Sequence, residues 1–400
     1  MNIYKYFPVA SDRMGIIWTL CSIEEACVIE FGPAGTTHYA VEGIGQLNGE
    51  DLARFYSTHM DETDITFGSY DRLENSIKEV DANQKPKYIF VMASSVSSII
   101  GADVESVCRE LQSSVNAKLI PITTGGLKDD YNLGVEQALE VIAKNMVKET
   151  TDKSDTFNII GVNIDSYNFL SEGEEIRRMM KEVFNKELNV MFTAYTSVEK
   201  IEKAARASLN IVLRKEGLKA AEYMKEKFNI PYVYGKPIGL KATEKWINEI
   251  QETMGYEING AALEKEIAQV KAFLMRFRYK LRALSNKDVA IFGDGDTVTF
   301  MKAFIEEIGL TVHRAEVLHS WSDCDDSFII NSGEYQRYKY LKEKELLMLL
   351  GDGCTLDMSS KAKFKMQISN PNLKDVNLYP YKPFVGFRGT MYLMEKILGI

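Results

Sequence analysis

The sequence predicts an α/β protein of three domains, each built on a parallel sheet. Short apolar runs alternate with helical patterns along the chain. The alternation restarts after a polar stretch at 148–155, and again after a long amphipathic segment ending near 284. At about 150 residues per domain, 400 residues leave room for two or three such units. Strand–helix alternation at this spacing means βαβ units, whose strands are parallel. The expected domains are 1–155, 156–287 and 288–400.

In the first domain, RMGIIWTLCSIE (13–24) reads as a helix. ACVIEF (26–31) reads as a buried strand, short, partly β-branched and closed by Gly-Pro. YIFVMA (88–93) and AKLIPI (117–122) read as strands, with helices near 103–112 and 134–147. KETTDKSD (148–155) reads as a linker. FNIIGVNI (157–164), LNVMFTAY (188–195) and ASLNIVLR (207–214) are the next strands, with helices at 173–185 and 216–228 and a short strand in IPYVYG. From 257 to 284, Leu263, Ile267, Val270, Leu274, Phe277, Leu281 and Leu284 recur at spacings of four and three. That stripe predicts one long helix with a core-facing side, or a subunit contact. DVAIFGDGD (288–296) opens the third domain as strand and turn, followed by a helix at 297–308 and a strand at 311–318. FIINS (328–332), a Lys/Glu helix at 337–350 and a closing helix at 389–398 complete it.

Composition narrows the function. The chain is 45% hydrophobic and 26% charged, enough apolar material for several cores. A formal charge of −9 argues against nucleic acid as a partner, because phosphate binding needs clustered Lys and Arg. No uncharged apolar run of 18 residues exists, so no membrane span is expected. The N-terminus lacks the basic-then-apolar form of a secretory signal. Five cysteines, at 21, 27, 108, 324 and 354, form no CxxC pair, which fits a reducing, cytoplasmic setting.

Three Gly-rich turns follow strands: GPAGT (32–36), TTGGLKDD (123–130) and GDGDT (293–297). Parallel sheets form their sites at the carboxyl ends of strands, and glycine there admits close backbone approach. None carries GK[ST] or a full GxGxxG, so each also reads as an ordinary turn. His313, His319 and Cys324, with Asp323, Asp325 and Asp326, are of ligand type, but their spacing matches no standard metal signature. Cys21, Cys27 and Cys108 fall on apolar elements, as small buried hydrophobes do. No Ser–His–Asp spacing and no HExxH is present.

Several pieces, taken in order, resemble the nitrogenase component 1 family. The family includes catalytic nitrogenase subunits, cofactor-scaffold relatives, dark-operative protochlorophyllide reductase subunits and a nickel-tetrapyrrole reductive cyclase. GIIWTLCSI leading into CVIEFGPAGT resembles the family's strand ending in HGPxGC. ITFGSYDRLENSIKEV (65–80) resembles its FGGxxRL segment and helix, and PKYIFVMASSVSSIIGADVESV (86–105) the stretch with the next cluster cysteine. ITTGGLKDDYNLGVEQAL (122–139), LNIVLRKEGLKAAEYMKEKFNIPYV (209–233) and VGFRGTMYLMEKIL (385–398) resemble later family segments. The segment 65–105 is especially similar to the nickel-tetrapyrrole cyclase.

The resemblance implies three Rossmann-like domains around a central cleft. It also implies pairing with a homologous subunit as a dimer or tetramer, an iron–sulfur cluster between subunits, and a separate ATP-dependent iron protein as electron donor. The chain departs at the cluster ligands. Thr36 and Ser95 stand where cluster cysteines are expected, and no cysteine lies near Ala10 or Ser11. The cofactor cysteine aligns near Leu213, the cofactor histidine near Val385, and the His of HGP is Phe31. Hydroxyls are poor ligands for clusters that take thiolates. The isolated chain is therefore expected to carry no cofactor, any iron–sulfur cluster being held by a partner. Cys21 and Cys27 would be the relocated ligands if they faced an interface. Gly32, Gly35, Thr36, Ser94 and Ser95 are the expected cleft or cluster-wall residues, together with the 293–297 turn. Two functions follow: a subunit of a nitrogenase-like two-component reductase acting on a small molecule or tetrapyrrole, or a non-redox scaffold or carrier with its ligand in the interdomain cleft.

Overall fold

The computed structural model describes residues 4–5, 10–47, 54–123, 125–127, 130–285, 287–320, 326–375 and 381–399. Strands β1 (Ala26–Phe31), β2 (Phe55–Ser57), β3 (Tyr88–Ala93) and β4 (Lys118–Ile122) form one sheet in the order β2-β1-β3-β4. Strands β5 (Thr156–Val162), β6 (Glu187–Thr193), β7 (Leu209–Val212) and β8 (Tyr232–Tyr234) form a second in the order β6-β5-β7-β8. Strands β9 (Asp288–Gly293), β10 (Thr311–Val317), β11 (Ile329–Ile330), β12 (Leu346–Gly351) and β13 (Ala362–Gln367) form a third in the order β11-β10-β9-β12-β13. All pairings are parallel.

Parallel sheets carry helices on both faces, so their central strands must be apolar on both sides. β1, β3 and β12 are buried at every position. Alternate residues of the first sheet enter different cores. Val28, Phe90 and Met92 pack with helices Asp12–Leu20 and Tyr131–Asn145, whereas Ile29, Val91 and Ala93 pack with helices Asp71–Gln84 and Val104–Leu111.

The order of each sheet reverses once, between β1 and β3, between β5 and β7, and between β9 and β12. At such a reversal the connections leave to opposite faces, and a crevice opens at the carboxyl ends of the two strands. The three crevices are bounded by Gly32 and Ser94, by the segment after Val162 and Arg214, and by Asp294 and Asp352.

Most expected elements appear within a few residues of their bounds. The clear miss is 337–350, expected as one helix. The helix is Glu334–Glu343, and Leu346–Gly351 is the strand beside β9. A short continuous apolar run such as LLMLL fits either state, and burial on both faces decides for strand. β13, AKFKMQ, is a further strand that the sequence reading lacks, although it alternates apolar and polar residues. The long helix begins at Gly260, capped by the Asn259 side chain, which accepts from the Ala262 N–H at 3.2 Å. Its stripe rests against the core through Val270 and Leu281, while Met275 and Tyr279 on the outer side are 65% and 69% exposed. No helix among the described residues is long and apolar enough to cross a membrane.

Helices Asp12–Leu20 and Tyr131–Asn145 cross at two glycines. A Cβ on Gly15 would sit 2.2 Å from the Tyr131 carbonyl oxygen, and one on Gly134 would sit 1.8 Å from that of Asp12. Both obstacles are backbone, so neither can turn aside. Gly134→Ala is expected to lower stability by about 1–3 kcal/mol through overpacking. Gly35→Ala, on a helix and with no atom within 4 Å of the added carbon, is expected to be neutral or slightly stabilising. Urea denaturation of the full chain checks both.

Candidate functional site

Two sites emerge at the strand ends. The first is a cavity of about 80 Å³ where the three domains meet. Trp18 and Tyr131 come from the first domain, Asp165, Ser166 and Arg214 from the second, and Asp294, Arg337, Asp352 and Asn370 from the third. The second and third crevices therefore open into it. Helix Gly295–Glu307 is capped by Asp294, which accepts from the Thr297 N–H at 2.9 Å. Asp352 caps Gly353–Met358, accepting from the Thr355 N–H at 2.9 Å. Both turns follow strands of the third sheet, which is why the caps stand side by side.

Asp165 joins the domains. Its carboxylate pairs with Arg214 at 2.6 Å and accepts from the Tyr131 hydroxyl, and its backbone carbonyl accepts from the Asn370 amide at 2.9 Å. Arg214 also pairs with Glu216 at 3.0 Å. Burial raises the pKa of Asp165, opposed by the Arg214 charge. Breaking a buried pair on one side leaves an uncompensated charge, which typically costs about 3–5 kcal/mol. The next layer holds Lys236 with Glu172 at 3.0 Å and Thr297 at 3.1 Å. Asp296 accepts from the Lys215 N–H at 2.7 Å and the Tyr234 hydroxyl at 2.5 Å. Burial, with the Glu216 charge, pushes Asp296 up to about 7.

His319 lines the cavity with its ring 4.7 Å from that of Tyr131, and its Nδ1 lies 3.1 Å from Asp130. Ser320 donates its N–H to Asp130 at 2.7 Å, and Asn132 donates to the Ser320 carbonyl at 2.8 Å. His319 is thus engaged in latching the third domain to the first. His313 lies on β10, near Tyr340. Asp323, Cys324 and Asp325 lie outside the described residues. Among the described residues no group of three or more His, Cys, Asp or Glu is placed to hold a metal ion.

The second site is the crevice of the first domain. Of the expected cleft walls, only the 293–297 turn reaches the central cavity; Gly32, Gly35, Thr36, Ser94 and Ser95 do not line it. These five gather instead at the ends of β1 and β3, because the first sheet's reversal lies there. The close approach is at Gly32, whose added Cβ would meet Ser94 at 2.5 Å, not at Gly35, which is open. Thr36 donates its hydroxyl to the Pro33 carbonyl at 3.0 Å. Behind it, Arg13 forms a buried ion pair with Glu30 and donates to the Thr36 carbonyl at 3.3 Å, and Thr37 donates to Glu30 at 2.7 Å. The 125–126 glycines close the third side, a Gly126 Cβ falling 3.3 Å from the Ser95 hydroxyl. Nearby surface is apolar, with Phe67 79%, Ile99 72% and Leu127 55% exposed.

These residues do not suit an iron–sulfur cluster. The loops present hydroxyls, one of them already bonded, where thiolates are required. Cys21 and Cys27 cannot substitute jointly, since they pack in cores on opposite faces of the first sheet. Burial pushes their thiols up to about 12 and about 11. Cys108 is likewise buried and pushed up to about 12. Leu213 and Val385, at the aligned cofactor-ligand positions, are 2% and 0% exposed.

Comparison with known proteins matches residues 11–400 to the family described as nitrogenase component 1 type oxidoreductase. The chain is 27% identical over 352 residues to the nitrogenase iron-molybdenum cofactor biosynthesis protein NifE of Clostridium pasteurianum, covering 82% of this chain and 75% of that protein. It is 24% identical over 416 residues to a subunit of the light-independent protochlorophyllide reductase of Heliobacterium modesticaldum, covering 99% of this chain and 79% of that protein. A solved structure titled nitrogenase Cp1 at pH 6.5 superposes with a TM-score of 0.83 at 17% identity, covering 100% of this chain and 94% of the other. That likeness speaks to the fold.

The raised pKa of Asp296 makes a signed prediction. Between its ordinary value near 4 and about 7, the folded state holds a proton that the unfolded state has released. The stability this group contributes is therefore full below about pH 4 and is lost as pH rises through 7. Asp296→Asn keeps an oxygen for both donors without the charge. Urea denaturation at pH 6 and pH 8 is expected to show a smaller drop across that interval in the variant than in the parent.

Proposed function

The chain belongs to the nitrogenase component 1 type oxidoreductases, and we propose that it is a reductase subunit of that family that relies on a partner for its cluster. In this reading a homologous, cysteine-bearing subunit docks on the first domain and supplies the thiolates. A separate ATP-dependent iron protein delivers the electrons. The three-domain cavity receives the small molecule or tetrapyrrole that is reduced.

One observation carries the reading. The chain keeps a cavity with charged side chains in its walls at two strand-order reversals, yet its first-domain crevice offers Thr36 and Ser95 hydroxyls. A ligand site without its own electron relay needs a partner to supply one. The exposed Phe67, Ile99 and Leu127 beside that crevice give the partner an apolar surface. A second reading, a non-redox scaffold or carrier, draws on the likeness to a protein named for cofactor biosynthesis. It keeps the cavity and dispenses with the partner's electrons.

The chain purified anaerobically alone is expected to hold no stoichiometric iron or sulfide. Co-expressed with a cysteine-bearing homologue, it is expected to co-purify with iron, and Ile99→Asp is expected to reduce recovery of the pair without altering the chain's own unfolding midpoint. Iron and sulfide analysis after size-exclusion chromatography reads both. A stable monomer in the presence of the homologue would overturn the partnered reading. Stoichiometric iron on the lone chain, lost on Cys21→Ser or Cys27→Ser, would make those cysteines a relocated cluster site. If the pair forms and binds ligand but transfers no electrons from reduced iron protein, the carrier reading stands.

A further inference from the structure

The walls of the central cavity hold polar atoms that the protein itself leaves unbonded. They are Trp18 Nε1, Asp165 Oδ1, Arg337 Nε, Ser369 Oγ and Asn370 Oδ1. Trp18, Asp165, Arg337 and Ser369 are each more than nine-tenths buried. Buried polar groups without partners are costly and rare in folded proteins, so their convergence on one space points to an occupant.

The chemistry of these atoms constrains that occupant. Trp18 and Arg337 have only N–H to offer, and so call for an acceptor oxygen. Asp165 Oδ1 accepts. Asn370 already spends its amide N–H₂ on the Asp165 carbonyl at 2.9 Å, which leaves its oxygen for the cavity. Both acceptors call for N–H or O–H donors, and beside a carboxylate a charged N–H is the stronger of the two. Ser369 serves either.

Charge adds a sign. Four carboxylates line the cavity, those of Asp165, Asp294, Glu334 and Asp352, against the guanidiniums of Arg214 and Arg337. Arg214 is held between Asp165 and Glu216, so its charge is engaged within the wall. Arg337 has a carboxylate oxygen of Glu316 at 3.9 Å, beyond hydrogen-bond reach of its Nε. The Arg337 charge also faces Asp352, so what the guanidinium leaves over is its Nε–H, which calls for an acceptor oxygen, while the surplus of carboxylates favours positive charge at the Asp165 end. A bare metal ion does not match, since the Asp294 and Asp352 carboxylates are committed to helix caps and no ligand cluster forms among the described residues. Trp18 and Tyr131, with ring centroids 5.6 Å apart, give an aromatic wall for carbon.

We propose that the cavity binds an organic zwitterion of amino-acid type, with its ammonium group on Asp165 and Asn370 and its carboxylate on Arg337 and Trp18. This deepens the reading of the cavity as the chain's ligand site. Binding to the lone chain is measured without electron transfer, so its failure is separate from failure of the partnered reductase.

Titration calorimetry of the full chain with three probes of similar length tests it: L-lysine, 1,5-diaminopentane and glutarate. L-Lysine is expected to bind at least about tenfold more tightly than either single-sign probe, the difference that one charge-assisted hydrogen bond supplies. Asp165→Asn is expected to weaken L-lysine binding about tenfold on the same scale. Because Asp165 also anchors Arg214 and Tyr131, that variant can fail to fold. Trp18→Phe keeps an aromatic ring in the wall while removing the N–H along with the fused five-membered ring, and where it folds it is then the deciding variant, with a several-fold loss expected. Equal or tighter binding of diaminopentane or glutarate overturns the zwitterion. No heat with any probe means that solvent alone satisfies the walls, and overturns it as well. An unchanged L-lysine affinity in folded Trp18→Phe overturns the placement of the carboxylate.

Discussion

Asp165 is the residue on which the arrangement of the three domains depends. It follows the strand at which the second sheet reverses its order, so its side chain points out of the sheet's carboxyl edge. There it meets Arg214 from the neighbouring strand end, Tyr131 from the first domain and, through its carbonyl, Asn370 from the third. A carboxylate buried to this degree persists only when its partners are fixed in place. Each partner is set by its own domain's backbone. Tyr131 opens a helix that crosses Asp12–Leu20 at paired glycines, and Arg214 packs over Gly161, where a Cβ would meet its side chain at 2.5 Å. The ion pair thus couples packing in one domain to the position of a functional group in another.

Much of the fold was legible in the sequence because parallel sheets write themselves as apolar runs. ACVIEF and YIFVMA coincide with β1 and β3 to the residue. The helices were read less sharply, their ends set by caps such as Asp294 and Asn259 that a periodicity count does not weigh. The failure at 337–350 is instructive. LLMLL lacks both the period of two and the period of 3.6, since a strand buried on both faces needs neither. Reading it as helix removed β12, and with it the reversal beside β9 and the Asp352 turn.

The site was legible only in part for the same reason. Glycine turns after strands announced Gly32 and Gly293, and both stand at sheet reversals. Nothing in a linear reading gives the strand order, so nothing said that the residues at the first reversal would stay out of the cavity lining while the other two reversals opened into it. Asp165, Arg214 and Asn370 carry no motif. Each is an isolated polar residue after an apolar run, and its role comes from the meeting of domains. A hint was present: DSYNF after FNIIGVNI and RKEG after NIVL place charged residues at the ends of buried strands, where a polar group needs a partner or a ligand.

The two crevices contrast in how they are filled. In the first domain, Ser94 approaches the backbone at Gly32, and Arg13 is consumed by Glu30 and the Thr36 carbonyl. Polar demand there is met largely from within, and small hydroxyl residues complete the surface. At the three-domain junction the side chains stop short of one another, and donors and acceptors of defined kind are left facing a space of about 80 Å³. A protein under no constraint to bind would gain stability by closing that space with apolar side chains, since cavities and orphaned polar groups both destabilise. The proposed division of labour follows from this contrast: a chain that completes its first crevice with hydroxyls and preserves the second has kept the part of the site that recognises a ligand, and leaves to a partner the part that moves electrons.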